Sequence, residues 1–118
     1  MIRVELGRHH CHVSGHAGSG PWGRDLVCAA VSTLVLTLAE NVRRLAAQGA
    51  AEDPRILLDR GTASISCLPA GSGQDPVVPV FETLALGFRL LARQYPEFIF
   101  LSLPVSETPS GSDTIGPG

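Results

Sequence analysis

His16 and Cys28 are the two residues whose types and placement could carry covalent chemistry. His16 follows Gly15 at the end of an expected strand. Cys28 falls in the first turn of an expected helix, and Ala17-Gly18-Ser19-Gly20-Pro21-Trp22-Gly23 joins them. A thiol beside an imidazole is a nucleophile–base pair: the thiolate attacks a carbonyl carbon and the imidazole moves the proton. With Asp25 as N-cap, Cys28 sits at the third helical position, where unpaired N–H groups and the positive end of the helix dipole favour a thiolate. The reaction this pair supports is acyl transfer through a thioester. Its oxyanion would be met by N–H groups of the first helical turn, that of Cys28 included, and by one from the glycine-rich loop. A plainer reading exists, and spacing alone favours it. A cysteine beside Ala29, Ala30 and Val31 is most often a small buried hydrophobe, and a strand-end histidine a surface residue.

Neighbouring residues each have two readings. Asp25 caps the helix, or orients His16 as a third catalytic member. Ser32 lies one turn beyond Cys28 on the same helical face, and either bonds to the site or bonds back to the Cys28 carbonyl. Trp22 lines a substrate groove or anchors its loop. Gly18, Gly20 and Gly23 give that loop the freedom to act as a gate for an extended peptide. The cluster His9-His10-Cys11-His12 invites a metal reading. On a strand, however, His10 and His12 point one way and His9 and Cys11 the other. No Cys-x-x-Cys pattern adds ligands. The expectation is an exposed polar strand face, no metal site and no cofactor.

The elements that must position these residues follow from periodicity. Ile2-Val4-Leu6 alternates as a strand, and His9 to His16 returns as a second one after the tight turn at Gly7-Arg8. Val27, Val31, Leu34, Leu38, Val42 and Leu45 form a helical stripe, widened by Leu26, Ala30 and Val35, and Gly49 closes the helix. Ile56 to Leu58 and Thr62 to Leu68 read as a hairpin around Asp59-Arg60-Gly61. Pro69 to Pro79 reads as a loop. Phe81, Leu84, Phe88, Leu91 and Tyr95 mark a second amphipathic helix stopped by Pro96, and Phe98 to Leu103 a last strand. The order β-β-α-β-β-α-β predicts an α+β two-layer sandwich, an antiparallel or mixed sheet with both helices on one face. Residues 1–103 form the single domain. Residues 104–118 hold only Val105 and Ile115 as strongly apolar side chains and are expected to be a disordered tail.

Composition narrows the function classes. The chain has 118 residues, 44% of them apolar, which suits one core without staples. Charged residues make up 17%, below the usual share, and this suggests that a partner, often a second copy, covers some apolar surface. A net charge of −2 gives no electrostatic case for nucleic acid. Three cysteines, Cys11, Cys28 and Cys67, leave at least one thiol free. The N-terminus alternates apolar and charged residues, unlike a signal peptide. The apolar uncharged run Leu26 to Ala39 is fourteen residues and too short for a bilayer span. A cytoplasmic protein with reduced thiols and no membrane partner is expected. Cys67 is expected in the core with Ala63 and Ile65.

Gly15-His16-Ala17, followed by Gly23-Arg24-Asp25-Leu26-Val27-Cys28-Ala29-Ala30-Val31-Ser32, resembles the Prp family of ribosomal-processing cysteine proteases. Leu84-Ala85-Leu86-Gly87 and Tyr95-Pro96 are similar to that family's second helix and its end. The turn between the first two strands is shorter here than in many members. The resemblance implies a cysteine endopeptidase that removes the N-terminal extension of a large-subunit ribosomal protein precursor. It implies Cys28 as nucleophile, His16 as general base, an α+β sandwich and a homodimer. The alternative from a different class is a non-enzymatic, ribosome-associated interaction module, with the broad apolar girth of the first helix as its partner surface.

Overall fold

The structure is a computed structural model in which residues 1–15, 23–71 and 73–102 are described, those at 23–25 for their backbone only. The loop expected from Ala17 and the tail expected from Pro104 thus fall outside the described residues, apart from the loop's last backbone position, Gly23. The elements run β1 (Ile2–Leu6), β2 (His10–Ser14), α1 (Gly23–Ala47), β3 (Ala51–Asp59), β4 (Thr62–Pro69), α2 (Val77–Gln94) and β5 (Ile99–Ser102). This is the expected order. The five strands form one mixed sheet, β3-β4-β2-β1-β5, antiparallel throughout except for the parallel pair β1–β5. Both helices contact the sheet and each other.

Alternation decides which face is covered. Ile2, Val4 and Leu6 of β1, Cys11 and Val13 of β2, and Ala63, Ile65 and Cys67 of β4 are buried under the helices. Cys67 thus takes the core place expected of it. Helix α1 supplies Val27, Val31, Val35, Leu38 and Val42 to this core, and α2 supplies Val77, Phe81, Leu84 and Phe88. Burying each of the larger side chains contributes roughly 1.5–3 kcal/mol. On the open face, the Arg3 guanidinium lies over the Phe100 ring, 5.6 Å from its centre. Leu26–Ala47 has the length and mean hydropathy (1.5) to cross a bilayer, which the uncharged run alone does not reach. In this fold its inner face is the roof of the sheet.

Glycine ends α1 as expected. Gly49, at φ 77°, donates to the Ala46 carbonyl (3.1 Å), and Ala50 donates to Leu45 (2.8 Å), a Schellman closure. Several boundaries differ from the expectation. β2 stops at Ser14, because Gly15 turns to φ 96°. β3 begins at Ala51, well before Ile56. Asp53 at φ 52° and Pro54 break its alternation and shift the register between Glu52 and Arg55, which an edge strand tolerates. α2 begins at Val77, inside the expected loop. Pro79 sits in its first turn, where a missing N–H is harmless, and the Asp75 carboxylate accepts the N–H of Val77 (2.9 Å) and Val78 (3.3 Å). β5 begins at Ile99, and the Phe98 N–H is held in a turn by the Tyr95 carbonyl (3.0 Å).

Candidate active site

Cys28 projects from α1 against the core and is partly accessible, whereas Cys11 and Cys67 are buried. Burial alone pushes the Cys11 thiol up to about 12. Burial, and then the charge of Asp75, raise that of Cys67. Neither buried thiol is available as a thiolate near neutral pH.

A cleft of about 280 Å³ opens beside Cys28. One side is α1, through Cys28, Val31, Ser32, Val35 and Leu36. The other is the β3–β4 hairpin, through Leu58, Asp59, Gly61, Thr62 and Ala63. Val13, Gly15 and Ile2 complete it at the ends of β2 and β1. Ser32 is exposed in that cleft, so sequence spacing correctly put it on the Cys28 face. Gly15, the residue directly before His16, shares the cleft with Cys28. Its N–H donates to the Gly61 carbonyl at 3.0 Å, which ties the end of β2 to the hairpin tip. His16, Gly18, Gly20 and Trp22 lie outside the described residues, as does the side chain of Asp25.

The start of α1 corrects three expectations. The helix begins at Gly23, so Asp25 lies inside the first turn and is not its N-cap. A carboxylate there still complements the positive helix end. Cys28 is therefore the sixth helical residue, not the third. In i→i−4 register its N–H faces the Arg24 carbonyl, so it is not a free oxyanion donor. The first-turn amides with no carbonyl partner inside α1 are those of Gly23, Arg24 and Asp25. Helical side chains lean toward the N-terminus, which directs the Cys28 thiol back toward those amides.

Two features of the surroundings are not legible in local spacing. Leu58 and Asp59 join the cleft only because β3 folds back along α1. His9 belongs to no site with Cys28: its Nε2 lies 2.7 Å from Asp75 Oδ2, beyond the far end of β2. His10 and His12 lie in the half-exposed strand face, and among the described residues no group of three or more potential ligands could hold a metal.

The comparisons with known proteins agree with this arrangement. SMU.848 from Streptococcus mutans, a solved structure, is 31% identical over 87% of this chain and 93% of its own, with a TM-score of 0.63. An essential ribosomal processing protease Prp from Staphylococcus aureus, solved with a covalently linked product peptide, shares the fold at 22% identity. That match covers 88% of this chain and all (100%) of the other, with a TM-score of 0.67. The same S. aureus protease solved with a substrate peptide matches at 19% identity over 87% of this chain and 97% of its own, with a TM-score of 0.64. No curated protein sequence matches the chain. The family model described as Cysteine protease Prp matches residues 1–100, which hold both helices, the cleft and Cys28. By that match the chain belongs to the Prp family of cysteine proteases.

Proposed function

We propose that this cysteine protease removes the N-terminal extension of a large-subunit ribosomal protein precursor, with Cys28 as nucleophile and His16 as general base. One observation supports the pairing: the partly accessible thiol of Cys28 opens onto a cleft whose wall includes Gly15, the residue directly before His16 in the sequence. The S. aureus relative is named as a ribosomal processing protease, and its covalently linked product peptide supports a covalent route.

His16 takes the Cys28 thiol proton as the sulfur adds to the scissile carbonyl, and the carbonyl π pair moves to oxygen. Free first-turn amides of α1 meet the oxyanion. The pair returns, the C–N bond breaks, and His16 gives its proton to the departing amine. Water then adds to the thioester, giving a proton to His16; the C–S bond breaks, the carboxylic acid leaves, and His16 returns the proton to the Cys28 sulfur. Asp25 lends negative charge to the first turn, Ser32 lines the cleft beside the thiol, and Gly18, Gly20, Trp22 and Gly23 belong to the substrate loop of this reading. A ribosomal substrate puts this reaction in the cytoplasm, where the thiol stays reduced.

The active form is a homodimer. On α2, Leu86 and Leu90 are more than half exposed, with Glu82 before them and Arg93 after them. Two such helices packed antiparallel put Leu86 against Leu90 and Glu82 against Arg93, a self-complementary twofold contact.

The test is cleavage of a precursor peptide. Cys28→Ala abolishes it while the circular dichroism spectrum is unchanged, and His16→Ala nearly abolishes it. Full activity in Cys28→Ala would sink the assignment. Partner binding without any cleavage would favour a non-enzymatic module.

A further inference from the structure

The open face of the sheet carries two charges that the fold itself leaves unused. Arg3 and Glu5 both project from β1 away from the helices, and both are exposed. Opposite charges that face each other across neighbouring strands stabilise a sheet. Here the register withholds that pairing. Arg3 stands between Ser14 and Phe100, and Glu5 stands between His12 and Ser102. Among the described residues neither charged side chain has an ion-pair partner, and the Arg3 guanidinium lies over the Phe100 ring instead. Stacking of this kind steadies a planar fork of N–H donors without consuming them. A hollow of about 250 Å³ opens along β1, with the cation at one end and the carboxylate at the other. Two residues of strand set these ends about 6.6 Å apart.

We propose that this hollow docks an extended peptide segment whose acidic and basic side chains stand two residues apart, the acid on Arg3 and the base on Glu5. Charge complementarity and spacing carry the choice. In an extended chain, side chains at i and i+2 point the same way, so both reach the sheet together at the spacing of Arg3 and Glu5. The residue between them faces away. A helix puts i and i+2 on different sides and cannot make this match. A segment with two charges of one sign meets one opposite and one like charge, which lowers its affinity. Beside Arg3, the Ser14 hydroxyl offers a donor to the acid; beside Glu5, that of Ser102 offers an acceptor to the base. The surface does not depend on the protease reading, because the sheet separates it from Cys28 on α1.

Short fluorescein-labelled peptides of Gly and Ser test this by anisotropy against the full chain at low salt. One carries Glu and Lys two residues apart, one carries them at adjacent positions, one carries two Glu and one carries two Lys, the last two also spaced by two. The unaltered protein should bind the first peptide about tenfold more tightly than the other three. In Arg3→Glu the preferred peptide becomes the one with two Lys, and in Glu5→Arg the one with two Glu. Both positions are exposed, so both variants keep the circular dichroism spectrum of the unaltered protein. No binding, equal binding of all four peptides, or a preference that the two variants leave unchanged overturns the proposal. Self-association that is lost in Arg3→Glu and restored by mixing it with Glu5→Arg would seat a second copy on this face, and overturns the peptide as its occupant.

Discussion

Gly15 donates its N–H to the carbonyl of Gly61 at 3.0 Å, and this single bond joins the residue before His16 to the tip of the β3–β4 hairpin. Gly15 holds φ 96°, and a methyl group there would run into the Met1 carbonyl oxygen, a backbone atom that cannot swing aside. Gly15→Ala should therefore displace His16. The expected outcome is a fall in kcat of about tenfold or more with KM little changed. The accompanying loss of stability is about 1–2 kcal/mol. Steady-state kinetics on protein shown by circular dichroism to be folded checks this, and an unchanged kcat would detach Gly15 from the site.

The three thiols should separate under alkylation. In the native protein, iodoacetamide is expected to modify Cys28 first. Cys11, with its thiol pushed up to about 12 by burial, and Cys67 should react only after denaturation. Peptide mass spectrometry of native and denatured samples reads this order. Labelling of Cys11 or Cys67 ahead of Cys28 would contradict the burial pattern.

Asp75 makes stability depend on acid. Its partial burial alone would raise the carboxyl. The hydrogen bond from His9, the amides of Val77 and Val78 and the charge of the His9 ring outweigh this and hold it below its ordinary value. The folded-state pKa is thus depressed, so its stabilisation is complete above the unfolded value of about 3.9. It is lost as pH falls through the lower folded value. Asp75→Ala should cost about 1 kcal/mol near neutrality, as other lost helix caps do. Denaturant midpoints should show that gap closing below about pH 4; a gap that persists there would mean the carboxylate is not its source.

The α2 surface makes a solution-state prediction. Leu86→Asp places two carboxylates in the proposed twofold contact and should give a monomer in sedimentation velocity. An unaltered dimer would move the interface to another face.

Much of this molecule is written in local pattern. Ile2-Val4-Leu6 alternates and is a buried strand; Phe81, Leu84 and Phe88 recur at helical spacing and are the buried stripe of α2. The misses have physical causes. Asp25 is an excellent cap by type, yet Gly23 and Arg24 already belong to the helix, and a carboxylate is equally at home inside a first turn. Residues Ala51 to Arg55 have charge, a proline and a positive φ where alternation should be, so only pairing with β4 makes them a strand. The His9–Asp75 contact spans 66 positions, beyond the reach of any spacing rule. Cys28 was legible by type and neighbourhood. Leu36 and Leu58 were not, because the cleft between them exists only after β3 returns along α1.

The parallel pair β1–β5 governs when the fold can be finished. β1 is an interior strand, with β2 on one side and β5 on the other. Its second edge is closed by Ile2↔Ile99 and the pairs that follow, between the first strand of the sequence and the last. A chain leaving the ribosome can form the β1–β2 hairpin early, but β1 keeps a bare edge until nearly the whole domain has emerged. Contacts of such sequence separation are slow to form. During synthesis the four-residue β5 is thus the last strand of the described sheet to become available, and until it docks β1 is open as a template for pairing with other chains.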